Sequence, residues 1–232
     1  MIERRPAGQL GRFRNDWLNA RYHFSFAGWR DSSRMGWGDL LVWNDDEIAA
    51  GTGFPPHGHA DMEIVTYVRR GAITHRDSLG NAGRTAAGEV QVMSAGSGIE
   101  HAEHNAEGET TTLFQIWIRP AVRGGAPSWG ARAFPKGGRA SEFVALASGR
   151  PGDGDALPLR ADARVLGAAL KTGDARTYDL APGRHAYLAT ATGRIEVNGV
   201  MLEARDGGAI VDETALNIRA LAGAEVVLVD TR

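Results

Sequence analysis

The sequence predicts an all-β protein made of two antiparallel β-barrels of the jelly-roll type. Its apolar runs are short, as in MEIVTYVRRG and TTLFQIWIRP, and several alternate apolar and polar residues with the two-residue period of a strand. Glycine-rich turn signals separate these runs at intervals of about ten residues, which is typical of sandwiches and barrels. No segment has the periodicity of a long helix, and residues 161–170 form at most a short one.

One hairpin and one break organise the chain. In RIEVNGVMLEA, Asn198 and Gly199 supply a two-residue turn between two alternating strands. The stretch PAVRGGAPSWGARAFPKGGR is rich in Gly, Pro and Arg and keeps no strand pattern, so we interpret it as a break between two β-rich halves. We therefore predict an N-terminal barrel at residues 1–125, a linker at 126–140 and a C-terminal barrel at 141–232. A weak similarity in the order of strands and turns indicates that the halves are duplicates.

Composition excludes several classes of protein. The formal net charge is −2, so the chain gives no general basis for binding nucleic acid or an anionic membrane. There is no cysteine, which excludes disulfides, thiolate metal sites and a cysteine nucleophile. The sequence shows neither a signal peptide nor a run of ~20 apolar residues, and we expect a cytoplasmic protein.

Two pairs of metal-ligating residues have the spacing that places side chains on one face of a strand. His57 and His59 lie two residues apart in FPPHGHADME. His101 and Glu103 have the same spacing in SGIEHAEHNAE. On neighbouring strands, the pairs would bring three imidazoles and a carboxylate together, a ligand set that suits a divalent first-row metal with coordination positions left open. His104 has the opposite parity and should point away from this cluster.

A second carboxylate leaves the fourth ligand open. Glu63 follows His59 by four residues and has the same strand parity, so parity alone accepts either Glu63 or Glu103. Glu63 also begins the strand-like run MEIVTYV, where it could be an inward-facing acid beside the site. The C-terminal half contains a single histidine, His185. We therefore expect the metal site in the N-terminal half.

These residues resemble the metal-binding signature of the cupins. The positions that fit the first cupin motif are Gly51, His57, His59 and Glu63, and those that approximate the second are Gly88, Gly96, His101 and Asn105. Two departures, Ser94 in place of a proline and His101 two residues later than usual, match the pirin branch. FPPHGHADMEIVTYVRRG, GEVQVMSAGSGIEHAEHN and LFQIWI are similar to pirins and their bacterial relatives. The resemblance is dense over residues 38–120 and looser beyond.

The pirin resemblance implies a bicupin, in which two β-barrels pack together and the N-terminal barrel holds the metal. The ligands that it implies are His57, His59, His101 and Glu103, which favours Glu103 over Glu63. It also implies one divalent transition metal, with iron expected first and nickel, manganese, copper, zinc or cobalt as alternatives. Bacterial pirins are similar in activity to quercetin 2,3-dioxygenases, so the implied substrates are a flavonol and O2.

Three functions are compatible with such a site. The leading hypothesis is a dioxygenase that opens the ring of a flavonol such as quercetin and releases carbon monoxide, with Glu103 as both metal ligand and catalytic base. One alternative is a non-catalytic regulatory protein of the pirin type, which depends on the metal or its redox state and acts through a protein partner. The other is a metal-dependent cupin isomerase, because one fold hosts many chemistries.

Seven further residues could lie near the site, but we expect them to have structural roles. The candidates for lining an apolar pocket are Phe54, Pro56, Met93, Phe114 and Ile116. We nevertheless expect each of them in the core rather than in contact with a ligand. His23 and His75 are likewise expected to be structural histidines rather than metal ligands.

Overall fold

The computed structural model describes residues 1–133 and 142–232. In these residues the chain forms twenty β-strands and a 3₁₀ turn at Ala7–Gln9. The strands up to Ala133 are β1 (Ile2–Arg5), β2 (Gly11–Arg14), β3 (Leu18–Tyr22), β4 (Leu40–Ile48), β5 (Gly53–His59), β6 (Glu63–Arg70), β7 (Ala72–Asp77), β8 (Ala82–Ala86), β9 (Glu89–Ser94), β10 (Ile99–His104), β11 (Thr111–Ile118) and β12 (Ser128–Ala133). Those from Val144 onward are β13 (Val144–Ser148), β14 (Leu157–Pro158), β15 (Ala163–Leu170), β16 (Ala175–Asp179), β17 (His185–Val197), β18 (Val200–Glu203), β19 (Gly207–Val211) and β20 (Ala215–Thr231). Among the described residues, no helix has the length and apolar character needed to cross a membrane, and the cytoplasmic location stays a prediction.

The N-terminal half is a sandwich of two antiparallel sheets. One sheet has seven strands in the order β12-β9-β6-β11-β4-β3-β2, and the other has four in the order β5-β10-β7-β8. Leu18, Val68 and Leu113 of the larger sheet pack against Ile73 of the smaller one, so the two inner faces share a core. The all-β, two-part prediction is confirmed. Within the described residues the sheets do not close into a ring of hydrogen bonds, so the predicted barrel is a jelly-roll sandwich.

The C-terminal half is one nine-stranded sheet that folds over its own core. Its order is β1-β19-β17-β20-β15-β13-β14, with β16 also paired to β20 and β18 to β17. The long strands β17 and β20 pass through register shifts between Thr190 and Ile195, where they bend and reach the second layer. Leu188 of β17 and Leu228 of β20 pack with Ile195 in the enclosed core.

Residues 161–170, where the sequence allows at most a short helix, contain the strand β15, which pairs with β20. Both faces of β15 are buried. Val165 packs into the core between the two halves, whereas Leu166 packs into the core of the C-terminal half. A strand that is buried on both faces has no apolar and polar alternation to distinguish it from a buried helix.

The predicted hairpin is confirmed. Val197 of β17 pairs with Val200 of β18 across the turn at Asn198 and Gly199. Both turn residues have positive φ, 46° and 84°. This is the backbone conformation that Asn-Gly favours in two-residue hairpin turns.

Two strands pair with sheets that the sequence-based domain boundaries do not predict for them. β1 pairs with β19, so the first residues of the predicted domain 1–125 complete the sheet of the C-terminal half. β12 pairs with β9 at the edge of the seven-stranded sheet, although its residues fall in the predicted linker 126–140. Residues 134–140 of that linker lie outside the described residues, and the domain boundaries stay a prediction.

The two halves share a core of their own. The outer face of the seven-stranded sheet packs Trp43, Val65 and Phe114 against Tyr187 and Val229 of the C-terminal half. All five side chains are fully buried. Because this apolar surface is removed from water only when the halves are together, it stabilises their association.

A charged cluster lies at the same interface. The Asp45 carboxylate of β4 binds the guanidinium groups of Arg69, on β6, and of Arg205, in the C-terminal half. The Asp45 side chain is 0% exposed, so its charge is compensated by these two partners rather than by water.

Asp45→Ala should lower the free energy of unfolding by about 3 kcal/mol, because it removes the carboxylate that Arg69 and Arg205 share at a largely buried position, although Arg205 keeps its pair with Glu47. Urea denaturation measures this loss. The matched control is Asp39→Ala, whose carboxylate lies 3.9 Å from the mostly exposed Arg119. We expect a change below about 0.5 kcal/mol for the control. Equal losses in the two variants would contradict the role given to Asp45.

Candidate metal centre

Three imidazoles meet on β5 and β10. In this antiparallel ladder His57 is paired with His101, and His59 with Ile99. Side chains of directly paired residues lie on the same face of a sheet. The ring centres of His57 and His59 are 4.8 Å apart, and those two lie 4.5 and 5.0 Å from the ring centre of His101. One nitrogen of each ring lies within 4.8 Å of the others, so the three rings can converge on one ion.

A chain of polar contacts behind His101 leaves one of its nitrogens free. His75 Nε2 lies 3.0 Å from Asp77 Oδ2 and donates to it. His75 Nδ1 therefore accepts from His101 Nδ1, at 3.4 Å. His101 Nε2 is buried and has no hydrogen-bond partner among the described residues. A metal ligand needs such a free lone pair, and a carboxylate behind the ligating histidines fixes the tautomers in this way.

The other two histidines also fit a metal. His57 Nδ1 donates to the carbonyl oxygen of Pro55 at 2.8 Å, which leaves the lone pair on Nε2. Burial lowers the pKa of His59 to about 4 and the pKa of His101 to about 3, so both rings are neutral at neutral pH. Neutral imidazole is the form that binds metal ions. These three residues therefore have the chemistry of a divalent transition-metal site.

A bulge in β5 sets the position of Glu103. The β5–β10 pairing shifts between His101 and Glu103, so that the two strands go out of step by one residue. Pro55 and Pro56 lie at this shift, and neither has an N–H group to offer to the ladder. A Cβ at Gly53 would collide with the backbone of Glu103. The two prolines and the glycine thus allow β5 to bend closely against β10 beside the site.

The Glu103 carboxylate crosses the sandwich to the larger sheet. Gln91 Nε2 donates to Oε1 and Gln115 Nε2 donates to Oε2, both at 2.7 Å. Thr66 Oγ1 lies 3.4 Å from Oε1. The side chain is 2% exposed, and burial raises the pKa of Glu103 to about 7. Neutral amides and a hydroxyl therefore hold the carboxylate in place, and no cation pairs with it in the part of the chain that the structure describes.

Glu103 lies next to the three-histidine group rather than inside it. Its oxygen is within 4.8 Å of the donor nitrogens of His75 and His101, and these three form a second group that could hold an ion. The two groups share His101, so a carboxylate ligand from Glu103 would approach from the side of His75. Ligation by Glu103 stays a proposal.

Glu63 is turned away from the histidines. It begins β6 in the seven-stranded sheet, whereas His59 ends β5 in the four-stranded sheet. Asp61, with a φ of 52°, lies in the turn between these sheets, so strand parity does not carry across it. Glu63 Oε2 accepts from Ser94 Oγ at 2.6 Å and from the backbone N–H of Arg160 at 3.0 Å. These contacts make it a structural acid that joins the two halves.

Of the other histidines considered in the N-terminal half, His104 and His23 lie outside the candidate metal groups, whereas His75 belongs to one of them. His104 is exposed, as its parity predicts. His23 is fully buried and bonds to the Tyr187 hydroxyl at 2.7 Å, which is a structural role. His75 contacts the site, so the expectation that it is only structural misses its contact with His101. The available signal is the spacing of His75 and Asp77, which repeats the two-residue pattern of the other pairs.

A cavity of about 180 Å³ opens beside His57 and His59. Its remaining lining consists of the apolar and aromatic residues Leu18, Tyr22, Phe26, Phe54 and Trp117 and the polar residues Asn44, Asp46 and Gln115. Burial, with Asp45 and Glu103 nearby, raises the pKa of Asp46 well above its ordinary value. Of the residues considered from the sequence, Phe54 lines the cavity. The others do not: Met93, Phe114 and Ile116 pack in cores, and Pro56 is exposed.

Two jelly-roll halves with a histidine cluster inside the first define a protein of the two-domain cupin class. Within residues 1–133 and 142–232, the groups that could hold a metal lie in the N-terminal half. The sequence profile of the family described as pirin matches residues 3–118. The profile described as the quercetinase C-terminal cupin domain matches residues 145–231. The chain belongs to the pirin family.

Relatives support this membership over the whole chain. A pirin-like protein of Caulobacter vibrioides is 63% identical over 230 residues, which are 99% of each chain. Quercetin 2,3-dioxygenase of Escherichia coli K12 is 38% identical over 231 residues, which are 99% of this chain and 98% of that one. The crystal structure of the bacterial pirin YhhW from Escherichia coli in complex with nickel(II) has 38% identity and a TM-score of 0.93, and it covers 100% of this chain and 99% of that chain.

His101→Ala should lose most of the bound metal, because it removes the ring that both groups of candidate ligands share. Metal content after loading and desalting is measured by mass spectrometry. His104→Ala is the matched control, since this exposed histidine lies three residues further along β10 and should keep the wild-type content. Full metal content in His101→Ala would rule out the assigned site.

Glu103→Gln should change how the stability of the metal-free protein depends on pH. The pKa of Glu103 is about 7 in the folded protein, against an ordinary 4.5, so folding favours the protonated form. Stability contributed by that proton is present at low pH and is lost as the pH rises through 7. Relative to the variant, the wild type should therefore lose about 3 kcal/mol between pH 4.5 and pH 8.

Urea denaturation at the two pH values, with a chelator present, measures the difference between wild type and Glu103→Gln. A difference that stays constant with pH would show that burial of Glu103 does not shift its titration.

Proposed function

We propose that the protein is a metal-dependent dioxygenase that opens the ring of a flavonol such as quercetin with O2 and releases carbon monoxide. The observation that carries this proposal is that His57 and His59, two of the three clustered imidazoles, lie in the wall of an aromatic-lined cavity. A flat aromatic ligand in this cavity has its edge beside His57 and His59. The name of the Escherichia coli relative, quercetin 2,3-dioxygenase, supports the same reaction.

We assign the metal to His57, His59, His101 and Glu103, with iron expected first and nickel, manganese, copper, zinc or cobalt as alternatives. Ligand chemistry alone accepts several of these ions. When bound, a divalent metal lowers the pKa of a hydroxyl that it contacts, as it would for the 3-hydroxyl of a flavonol.

The cavity residues bind and orient the substrate. Phe54 and Trp117 offer ring faces and edges to a flat aromatic ligand, and the ring centre of Trp117 lies 4.9 Å from that of His59. The cavity, at about 180 Å³, is smaller than the ~300–1,000 Å³ of pockets that enclose a whole drug-sized ligand. We therefore expect the reacting ring to lie inside, shielded from water, and part of the flavonol to extend through the mouth.

We propose that the Glu103 carboxylate acts as the base that accepts the proton of the substrate hydroxyl. In the metal-free protein its pKa is about 7, close to neutral pH as an efficient general base requires, so the carboxylate can take this proton when it is released from the ion. Gln115 lines the cavity and also holds Glu103 Oε2 at 2.7 Å, so the carboxylate lies directly behind the cavity wall. A concave, mainly apolar pocket beside two of the histidines favours an enzyme over the regulatory alternative, for which an open metal site on a flat surface would be expected.

The test is an oxygen-dependent assay. Purified protein is loaded separately with each of the six metals, mixed with quercetin without oxygen, and then exposed to oxygen. We expect loss of flavonol absorbance and release of carbon monoxide with at least one metal, and neither with His101→Ala treated in the same way.

No loss of flavonol with any metal would overturn the dioxygenase proposal. Conversion that does not need oxygen would indicate the isomerase alternative. A metal-loaded protein that neither converts nor binds flavonols would indicate the regulatory one.

A further inference from the structure

The cavity has a polar wall that the proposed reaction does not use. Asn44 and Asp46 lie two residues apart on β4 and both line the cavity. They are 3% and 2% exposed. The Oδ1 atom of each is buried and has no hydrogen-bond partner in residues 1–133 and 142–232.

Gln115 and Asp45, the polar side chains next to Asn44 and Asp46, have hydrogen-bond or ion-pair partners within the protein. Gln115, cross-strand partner of Asn44, donates to Glu103 and accepts from Trp117 Nε1 at 3.1 Å. On the other face of β4, Asp45 is held by two arginines. A buried polar atom without a partner is destabilising, so such atoms in a binding cavity are ready to pair with a ligand.

We propose that Asn44 and Asp46 bind a ring hydroxyl of the substrate other than the one at the metal, so that the preferred substrates are polyhydroxylated aromatic compounds. This inference rests on the proposed function, because it takes the other edge of the ligand to lie at His57 and His59. A hydroxyl both donates and accepts. It can therefore pair with the Asn44 amide oxygen and with the Asp46 carboxyl group in either protonation state.

Size and polarity of the cavity agree with this assignment. Leu18, Tyr22, Phe26, Phe54 and Trp117 make the rest of the lining mainly apolar and aromatic, so it accepts the flat faces of the ligand. A ligand without the second hydroxyl would fill the same space but leave both buried oxygens unpaired. Sites that hydrogen-bond a substrate hydroxyl discriminate against analogues that lack it for this reason.

The experiment measures binding without turnover. Zinc-loaded protein is titrated without oxygen with quercetin, which carries several ring hydroxyls, and with 3-hydroxyflavone, which carries only the metal-binding one. Quenching of tryptophan fluorescence reports binding. We expect the wild type to bind quercetin about tenfold more tightly or better, since each paired group contributes roughly that factor.

Asn44→Leu and Asp46→Leu should each weaken quercetin binding about tenfold and leave 3-hydroxyflavone within about twofold. Asp46→Asn keeps a polar partner and should retain most of the discrimination. Thr190→Val is the matched control, because it removes an equally buried, unpaired oxygen that lies outside this cavity lining. It should affect neither ligand.

Equal wild-type affinity for the two flavonols would overturn the subsite, and so would equal losses of both ligands in Asn44→Leu. Failure of the wild type to bind either flavonol would overturn it as well. Discrimination that persists in a protein without oxygen-dependent turnover would overturn only the dioxygenase proposal and leave the subsite in place.

Discussion

The contact between the Glu103 carboxylate and the amides of Gln91 and Gln115 joins the two sheets of the N-terminal sandwich at the site. An acidic group at this depth is unfavourable unless its oxygens are paired. Its partners form a polar row on the inner face of the larger sheet, where Gln115 and Gln91 both flank Thr66 across neighbouring strands. The polar row and the Gln115 side chain in the cavity wall are therefore held by one buried carboxylate, whose hydrogen-bond partners among the described residues are uncharged.

The seven-stranded sheet serves two purposes because its faces differ. Its inner face supplies the polar row and one wall of the cavity, while its outer face carries Trp43 and Phe114 into the core shared with the C-terminal half. Alternation along β4 shows the division most clearly, since Asn44 and Asp46 face the cavity and Asp45 faces Arg205. The C-terminal half thus supports the back of the sheet on which the site is built.

Local spacing is enough to predict the faces on which His57, His59 and His101 lie, because both members of each pair are on one strand. The same rule failed for Glu63, since the turn at Asp61 moves the chain to the other sheet. The signal for His75 is limited to its two-residue spacing to Asp77, and Asn44 and Asp46 match no metal-binding or catalytic motif. Their roles come from which strands become neighbours, and pairing over long sequence separations is not encoded in local periodicity. The strand β15 escaped recognition for a different reason, because burial on both faces removes the pattern.

The position of β1 has a consequence for how the protein is made. Its residues are synthesised before those of the other strands described here, whereas its partner strand β19 follows eighteen strands later. The N-terminal half can form its own sandwich early, but the loop that closes between β1 and β19 spans nearly the whole chain. Completion of the C-terminal sheet is therefore a late event of high contact order, and until then β1 is an unpaired strand that must be kept from pairing elsewhere.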